Sequence, residues 1–476
     1  MRTLPISHGS RTFLAAVTAF VLALAIAIAW PSRAAGAPGG GRLWVARYDG
    51  PVTGFDAAAG MAVSADGARL YVGGSSTGSG NDYDYAVVRY KAATGAMVWV
   101  VRYDGLGKGD DYGNALGLSG NGRTVFITGG SVGRGGDWDY ATVAYDATTG
   151  AKLWVSRFNS TPGGDDFGLR LAVSPDGSRV YVTGRSGPVP DHADFVTIAY
   201  DSKTGAQLWL RRYASPGGVN EWPNAIAASS DGKAVFVAGQ SEDPIHMHYR
   251  TIAYDAVTGA RLWASRYQGS LATSLVVSPD ASRVYVTGER YTGDASLDDY
   301  ATVAYDAATG AKVWARWYNG PDSSYDLAFS VAVSPDGAAV YVTGTSGGPA
   351  GTNYDYATVA YDAATGKQTW ATRYDGPAGD QDEGASVAVS PDGDTVFVTG
   401  DSRSVANDLD YATLAYDAET GAQVWLSRYD GTGHGADWGS VVLPSPDGST
   451  VFVTGHSKGT GSWADYDYAT IAYRPT

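Results

Sequence analysis

Residues 354–400 read YDYATVAYDAATGKQTWATRYDGPAGDQDEGASVAVSPDGDTVFVTG. Tyr356 to Tyr361 is rich in β-branched and aromatic residues, as strands are. Asp362-Ala-Ala-Thr-Gly366 follows it. An Asp that bonds nearby backbone N–H groups and a Gly free to take positive φ make a hairpin turn. Lys367 to Tyr374 is the return strand and carries Trp370. Ala385 to Ser390 is a third strand. Ser-Pro-Asp-Gly at 390–393 turns the chain, with Pro fixing φ at its second position. Val396 to Thr399 is the fourth strand, nearly all apolar, and is expected to be buried on both faces. No segment has a helical period. The unit is an antiparallel meander with two apolar faces, so it must stack on neighbours to bury them.

Near-copies fill the chain from residue 42 onward. The hairpin tryptophans are Trp44, Trp99, Trp154, Trp209, Trp263, Trp314, Trp370 and Trp425, spaced 55, 55, 55, 54, 51, 56 and 55 residues apart. The series opens with a lone return strand, Arg42 to Tyr48, and closes with its missing partner, Tyr468 to Tyr473. Each end supplies what the other lacks. This predicts an all-β fold: an eight-bladed β-propeller of four-stranded antiparallel blades, closed by the N-terminal strand joining the last blade.

The repeated YDYATVAYDAATG, RYDG, SVAVSPDG and VFVTG segments resemble the bacterial β-propeller repeat family called SBBP, over about 42–476. That resemblance implies a fold and no single activity. The hairpin also resembles the tryptophan-docking motif of quinoprotein (PQQ-type) propellers. Ala304, Asp306, Gly310 and Trp314 match it, as do Ala360, Asp362, Gly366 and Trp370. The resemblance implies that a small Ala makes room for an indole from the neighbouring blade. The copy ending at Trp99 departs, with Arg89 and Lys91 in place of Ala and Asp.

Residues 1–37 stand apart from the repeats. Arg2 and Arg11 precede an apolar run from Phe13 to Trp30, and Ser32 to Ala37 are mostly small. The segment reads as a secretory signal peptide, or as an uncleaved N-terminal anchor, since the run is long enough to span a bilayer. Residues 38–41 are a short tether. The expected location is extracellular or the cell envelope. There is no cysteine, which excludes thiol catalysis, iron–sulfur clusters and Cys-ligated zinc. A domain this long buries enough core without disulfides. The net charge is −15, or −18 without residues 1–37, which hold three arginines and no acid. Nucleic acid and anionic membrane surfaces are poor partners for such a surface. A monomer is expected.

Two acidic sets fall on one predicted face. The first lies ten residues before the Asp of the SPDG-type turn: Asp56, Asp111, Asp166, Glu221, Asp326, Asp382 and Asp437, with Ser270 as the exception. The second opens the YATVAY-type strand: Asp84, Asp139, Asp194, Asp299, Asp355, Asp410 and Asp467, with His248 as the exception. Together they could ring the channel mouth and hold Ca2+, which takes clustered oxygen ligands. They could instead satisfy backbone donors or pair with the arginines that follow the docking tryptophans by three: Arg47, Arg102, Arg157, Arg212, Arg266, Arg373 and Arg428. No other cofactor is evident.

One copy breaks the pattern, with Glu221, Trp222, His246, His248 and Arg250. Two His at i, i+2 share one side of a strand and, with a carboxylate, suit a transition metal or acid–base work. Ordinary drift of one repeat is the plainer reading. The next copy is short, which suggests a notch beside the pair. Trp138, Trp222, Trp317, Trp438 and Trp463 are not docking residues. Indoles beside Asp and Asn suit sugar binding, unless they pack between blades. No P-loop, H-E-x-x-H or EF-hand loop occurs, and no catalytic set stands out. The sequence therefore favours a non-catalytic binding or scaffold module with a protein or saccharide ligand on the acidic face. The alternatives are a PQQ/Ca-dependent quinoprotein-like oxidoreductase and a carbohydrate-active propeller enzyme.

Overall fold

The computed structural model describes residues 39–160, 164–187, 193–215, 220–242, 247–290, 298–321, 325–348, 353–462 and 464–475. The 1–37 segment, His246 and Trp463 lie outside them. Among the described residues no helix is long and apolar enough to cross a membrane. These residues form thirty-two strands in eight four-stranded antiparallel sheets. Blades are numbered 1 to 8 from the one that begins with Ala57–Val63. Blade 7 is representative: Asp382–Val389 is innermost, then Thr395–Arg403, Leu409–Asp417 and Gln423–Tyr429. Each innermost strand packs against the next, and that of blade 8 packs against that of blade 1, so the ring is closed.

Closure follows the predicted route. Arg42–Tyr48 pairs antiparallel with Tyr466–Tyr473, from Arg42 opposite Tyr473 to Tyr48 opposite Tyr468. It becomes the outermost strand of blade 8. Stacking leaves eight separate cores, one at each blade seam. The second strand of blade 7 is buried along nearly its whole length, as its apolar run requires.

The docking residues close these seams. Trp314 donates its indole N–H to Ala363 O at 2.9 Å in the turn of the next blade, and Trp370 to Ala418 O at 3.0 Å. The turn glycine lies against the ring. Gly310 has φ +71°, and a Cβ there would come within 2.5 Å of Trp263. The divergent copy still docks: Trp99 donates to Thr148 O, a carbonyl that Arg89 also reaches at 2.7 Å. At the ring junction Trp425 donates to Pro475 O at 2.6 Å.

Every innermost strand also carries a bulge, at Ala59, Asn114, Leu169, Asn224, Thr273, Phe329, Ala385 and Ser440 in turn. A bulge re-aims a side chain and bends its strand. Asn224, Thr273, Phe329 and Ala385 thereby line the central channel.

Candidate functional site: the channel mouth

The innermost and third strands begin on one face, as expected, and the two acidic sets sit there in different roles. The first set is buried behind the mouth. Asp382 accepts N–H from Gly376 at 2.6 Å and from Arg403 at 3.2 Å, and Asp56 accepts from Gly50 and Thr77. Asp111, Asp326 and Asp437 likewise hold Gly105, Gly320 and Gly431, and Asp166 holds Ser160. Each carboxylate thus fastens the link that enters its own blade. Burial without a full countercharge pushes Asp56, Asp111, Asp326, Asp382 and Asp437 up to about 6.

The second set meets the arginines. Arg102 pairs with Asp84 at 2.8 Å, Arg157 with Asp139 at 2.7 Å, and Arg373 with Asp355 at 2.7 Å. The same guanidinium bonds a serine of its own blade and a tyrosine hydroxyl of the preceding one. Arg102 reaches Ser76 and Tyr48, and Arg428 reaches Ser402 and Tyr374. These networks clamp the seams from the mouth side. Gly74–Gly78, Gly129–Gly133, Gly344–Gly348 and Gly455–Gly459 spell G-x-S-x-G, but Ser76, Ser131, Ser346 and Ser457 are buried partners of such arginines. Among the described residues three acids converge at four places, for example Asp84, Asp104 and Asp111. In that group Arg102 and Lys108 already pair with two of them.

Blade 5 rearranges the clamp. Trp317 stands where other blades place Arg, and Arg290 stands where they place Ser. Arg290 pairs with Asp299 at 3.1 Å and lies 4.4 Å over the Trp317 ring, while Trp317 donates to Tyr267 OH at 2.6 Å. The cation has moved two strands inward, so that Asp299 keeps a countercharge and Tyr267 keeps a donor.

The divergent blade 4 does not gather its unusual residues at one point. His248 takes the Asp place and meets Arg266 through its Nε2. Glu221 is buried, accepts Ser215 N–H at 2.7 Å, and rises to about 7 through burial. Arg250 lies 5.1 Å over Tyr213 of blade 3. Trp222 is covered by Arg185 at 4.3 Å. Ser270 of blade 5 is buried, with its hydroxyl 3.5 Å from the Glu289 carboxyl.

What distinguishes the mouth lies one residue before the clamping serine. Ser75, Gly130, Arg185, Gln240, Glu289, Thr345, Asp401 and His456 hold this place, and all eight differ. With their neighbours they divide the mouth into two arcs. The first is aromatic and runs through blades 8, 1, 2, 3 and 4. Trp438 stacks on His456 at 4.7 Å and meets Tyr466 at 5.6 Å. Tyr466 meets Phe55 at 5.5 Å, Phe55 meets Tyr83 at 6.3 Å, and Tyr83 meets Tyr112 at 5.2 Å. Trp138 is sandwiched between Tyr112 at 5.3 Å and Phe167 at 5.1 Å. Arg185 then bridges Phe167 and Trp222. These rings are half-buried. Burial lowers His456 to about 4, so it is neutral at physiological pH.

The second arc is acidic. In blade 5, Glu289 and Asp298 are buried together, and burial followed by Asp298 raises Glu289 to about 8. In blade 7, Glu383 and Asp401 are direct cross-strand partners. Burial, then Glu383, raises Asp401 to about 8. Tyr325 of blade 6 lies in the field of Glu289, Asp298 and Glu383 and is raised by burial and by them. The sequence reading missed this arc.

Fold and mouth together define an eight-bladed propeller with one elaborated face. Residues 33–242, 193–355 and 355–472 match the family described as outer membrane protein assembly factor BamB, and the chain belongs to this PQQ-type propeller family. No curated protein matches the chain. Among solved structures, Kuenenia stuttgartiensis hydrazine synthase is similar at 14% identity with TM-score 0.49, covering 76% of this chain and 96% of that one.

A quinone cofactor of the PQQ type would need an open indole plane beside free carboxylates. Among the described residues, Trp138 has rings on both faces, Trp222 carries a guanidinium and Trp438 carries an imidazole. The aromatic arc of the mouth does not fit that group.

Proposed function

We propose that this chain is a secreted or envelope-located scaffold, built of SBBP-type repeats, that binds a protein partner across the mouth of its propeller. The aromatic arc carries the reading. A half-buried belt of Tyr, Trp, Phe and Arg, crossing five blades without repeating, has the composition that interfaces favour. A saccharide would need ring planes to stack on, and those of Trp138 are taken. Membership of a family described as an outer membrane protein assembly factor supports a protein-binding role in the envelope.

The test is site-specific photo-crosslinking in native cells. Photoreactive residues replace Tyr83 and Gln240 at the mouth, and Asp176 and Asp447 in the exposed turns of the opposite face. The reading expects a discrete polypeptide adduct from the mouth positions only. Adducts to polysaccharide, or equal adducts from both faces, would overturn it.

A further inference from the structure

The central channel holds a cavity of about 410 Å3. Its wall is not eightfold. Arg170 of blade 3 lines it, and so do Glu383 and Asp401 of blade 7. Blades 3 and 7 are diametrically opposed in a ring of eight. One side of the cavity is therefore cationic and the other carboxylic.

Neither pole is satisfied from within. Arg170 donates one hydrogen bond, from Nη1 to Leu169 O at 2.9 Å, and forms no ion pair among the described residues. A guanidinium has five N–H donors in a planar fork suited to a carboxylate. Asp401 is only 6% exposed, and its Oδ2 has no hydrogen-bond partner. A carboxyl buried beside another carboxylate costs stability unless a ligand compensates it. The wall between the poles is mixed. Asn224 donates to Ala272 O at 3.0 Å and Thr273 to Ala328 O at 2.7 Å, which fixes both side chains, and Phe329 adds an apolar surface.

We propose that the channel is a binding site for a short peptide with free termini, its carboxylate on Arg170 and its ammonium on Asp401 and Glu383. Both poles would then gain the partner they lack, and the amides between would run past Asn224 and Thr273. The site is separate from the protein interface proposed for the outer mouth. The charged and titratable groups acting on Asp401 are Glu383, Asp382 and Arg403, with the Tyr356 hydroxyl behind. An arriving ammonium favours ionised Asp401. Binding therefore releases a proton near pH 7, tightens as pH rises from 6, and weakens again above about 8, where the peptide ammonium is lost.

The test is calorimetry of the full chain with triglycine, N-acetyl-triglycine, triglycine amide and 6-aminohexanoate, in two buffers of different ionisation enthalpy. Triglycine is expected to bind, and each end-blocked form to bind at least tenfold more weakly. Arg170→Gln and Asp401→Asn should each weaken triglycine at least tenfold, and Asp401→Asn should abolish the proton release. Thermal unfolding of the unliganded variants checks folding, and Glu383→Gln replaces Asp401→Asn if the latter does not fold. No heat with any probe at millimolar concentration, or binding that survives both substitutions, would overturn the proposal. Equal affinity for 6-aminohexanoate would overturn the assignment to a peptide.

Discussion

Asp401 and Ser402 are neighbours on one strand and show how the seams and the mouth differ. Ser402 is a member of a repeated set, fully buried and tied to Arg428 of its own blade. Asp401 is single-copy, faces the channel cavity and leaves an oxygen without a partner. The seams repeat because each of the eight blades solves the same packing problem: a docking tryptophan, a turn glycine and an Arg–Asp–Ser–Tyr clamp. Where one part of the clamp changes, another compensates, as Arg290 does for Trp317. The mouth position before the serine carries a different residue in every blade. Interchangeable residues make the ring, and non-interchangeable ones make its surface chemistry.

Four tests would break or sharpen that contrast. The largest effect belongs to the seam core. Trp314→Ala removes a side chain that is 5% exposed, together with its hydrogen bond. It should cost about 3–5 kcal/mol, read as a lowered denaturation midpoint at unchanged slope. Next is the clamp. Arg428→Met leaves buried Asp410 without its cation and should cost about 3 kcal/mol by the same measurement.

The compensated blade gives a sharper test. Arg290→Ser alone strands Asp299, whereas Arg290→Ser with Trp317→Arg restores the repeated arrangement. The double variant should recover stability, with a coupling of about 1 kcal/mol or more in the double-mutant cycle. Strict additivity would contradict the compensation.

The smallest effect is at the mouth and depends on pH. Asp401 is raised to about 8 in the folded chain, against about 4 when unfolded. The folded state therefore holds more protons between those values, and the group's contribution to stability falls as pH rises through that window. Asp401→Asn should match the parent at pH 4 and exceed it by about 1 kcal/mol or more at pH 8. Parallel stability curves for the two proteins would contradict the assignment.

The ring was legible because its signals recur. Eight tryptophans recur at near-constant spacing, the Asp-x-x-Thr-Gly turn recurs six times, and the complementary chain ends agree with both. The clamp could be read in part, since the arginines follow the tryptophans at fixed distance. The acidic arc could not. The apolar run ends at Thr399, yet the strand continues to Arg403 and carries Asp401 to the channel. The innermost strand was read from Ala385, yet it begins at Asp382 and bulges at Ala385, which brings Glu383 opposite Asp401. Glycine inside a strand hides it from propensity and marks a close approach of backbone. The aromatic arc failed differently. Its tryptophans were visible, but the stacking of Trp138 between rings of two blades depends on a seam that sequence order does not display.

The most direct test replaces the single-copy set while leaving the repeated one intact. Arg185, Gln240, Glu289, Thr345 and His456 become serine together, matching Ser75, while Asp401 is kept because it belongs to the channel site. Gly130 is kept, because a Cβ there would come within 2.5 Å of Phe167. The yield of the polypeptide adduct from a photoreactive residue at Tyr83 is then compared with that of the parent. The account predicts a folded propeller with one cooperative unfolding transition and an adduct yield reduced at least tenfold. An unchanged adduct yield from the folded variant would contradict it.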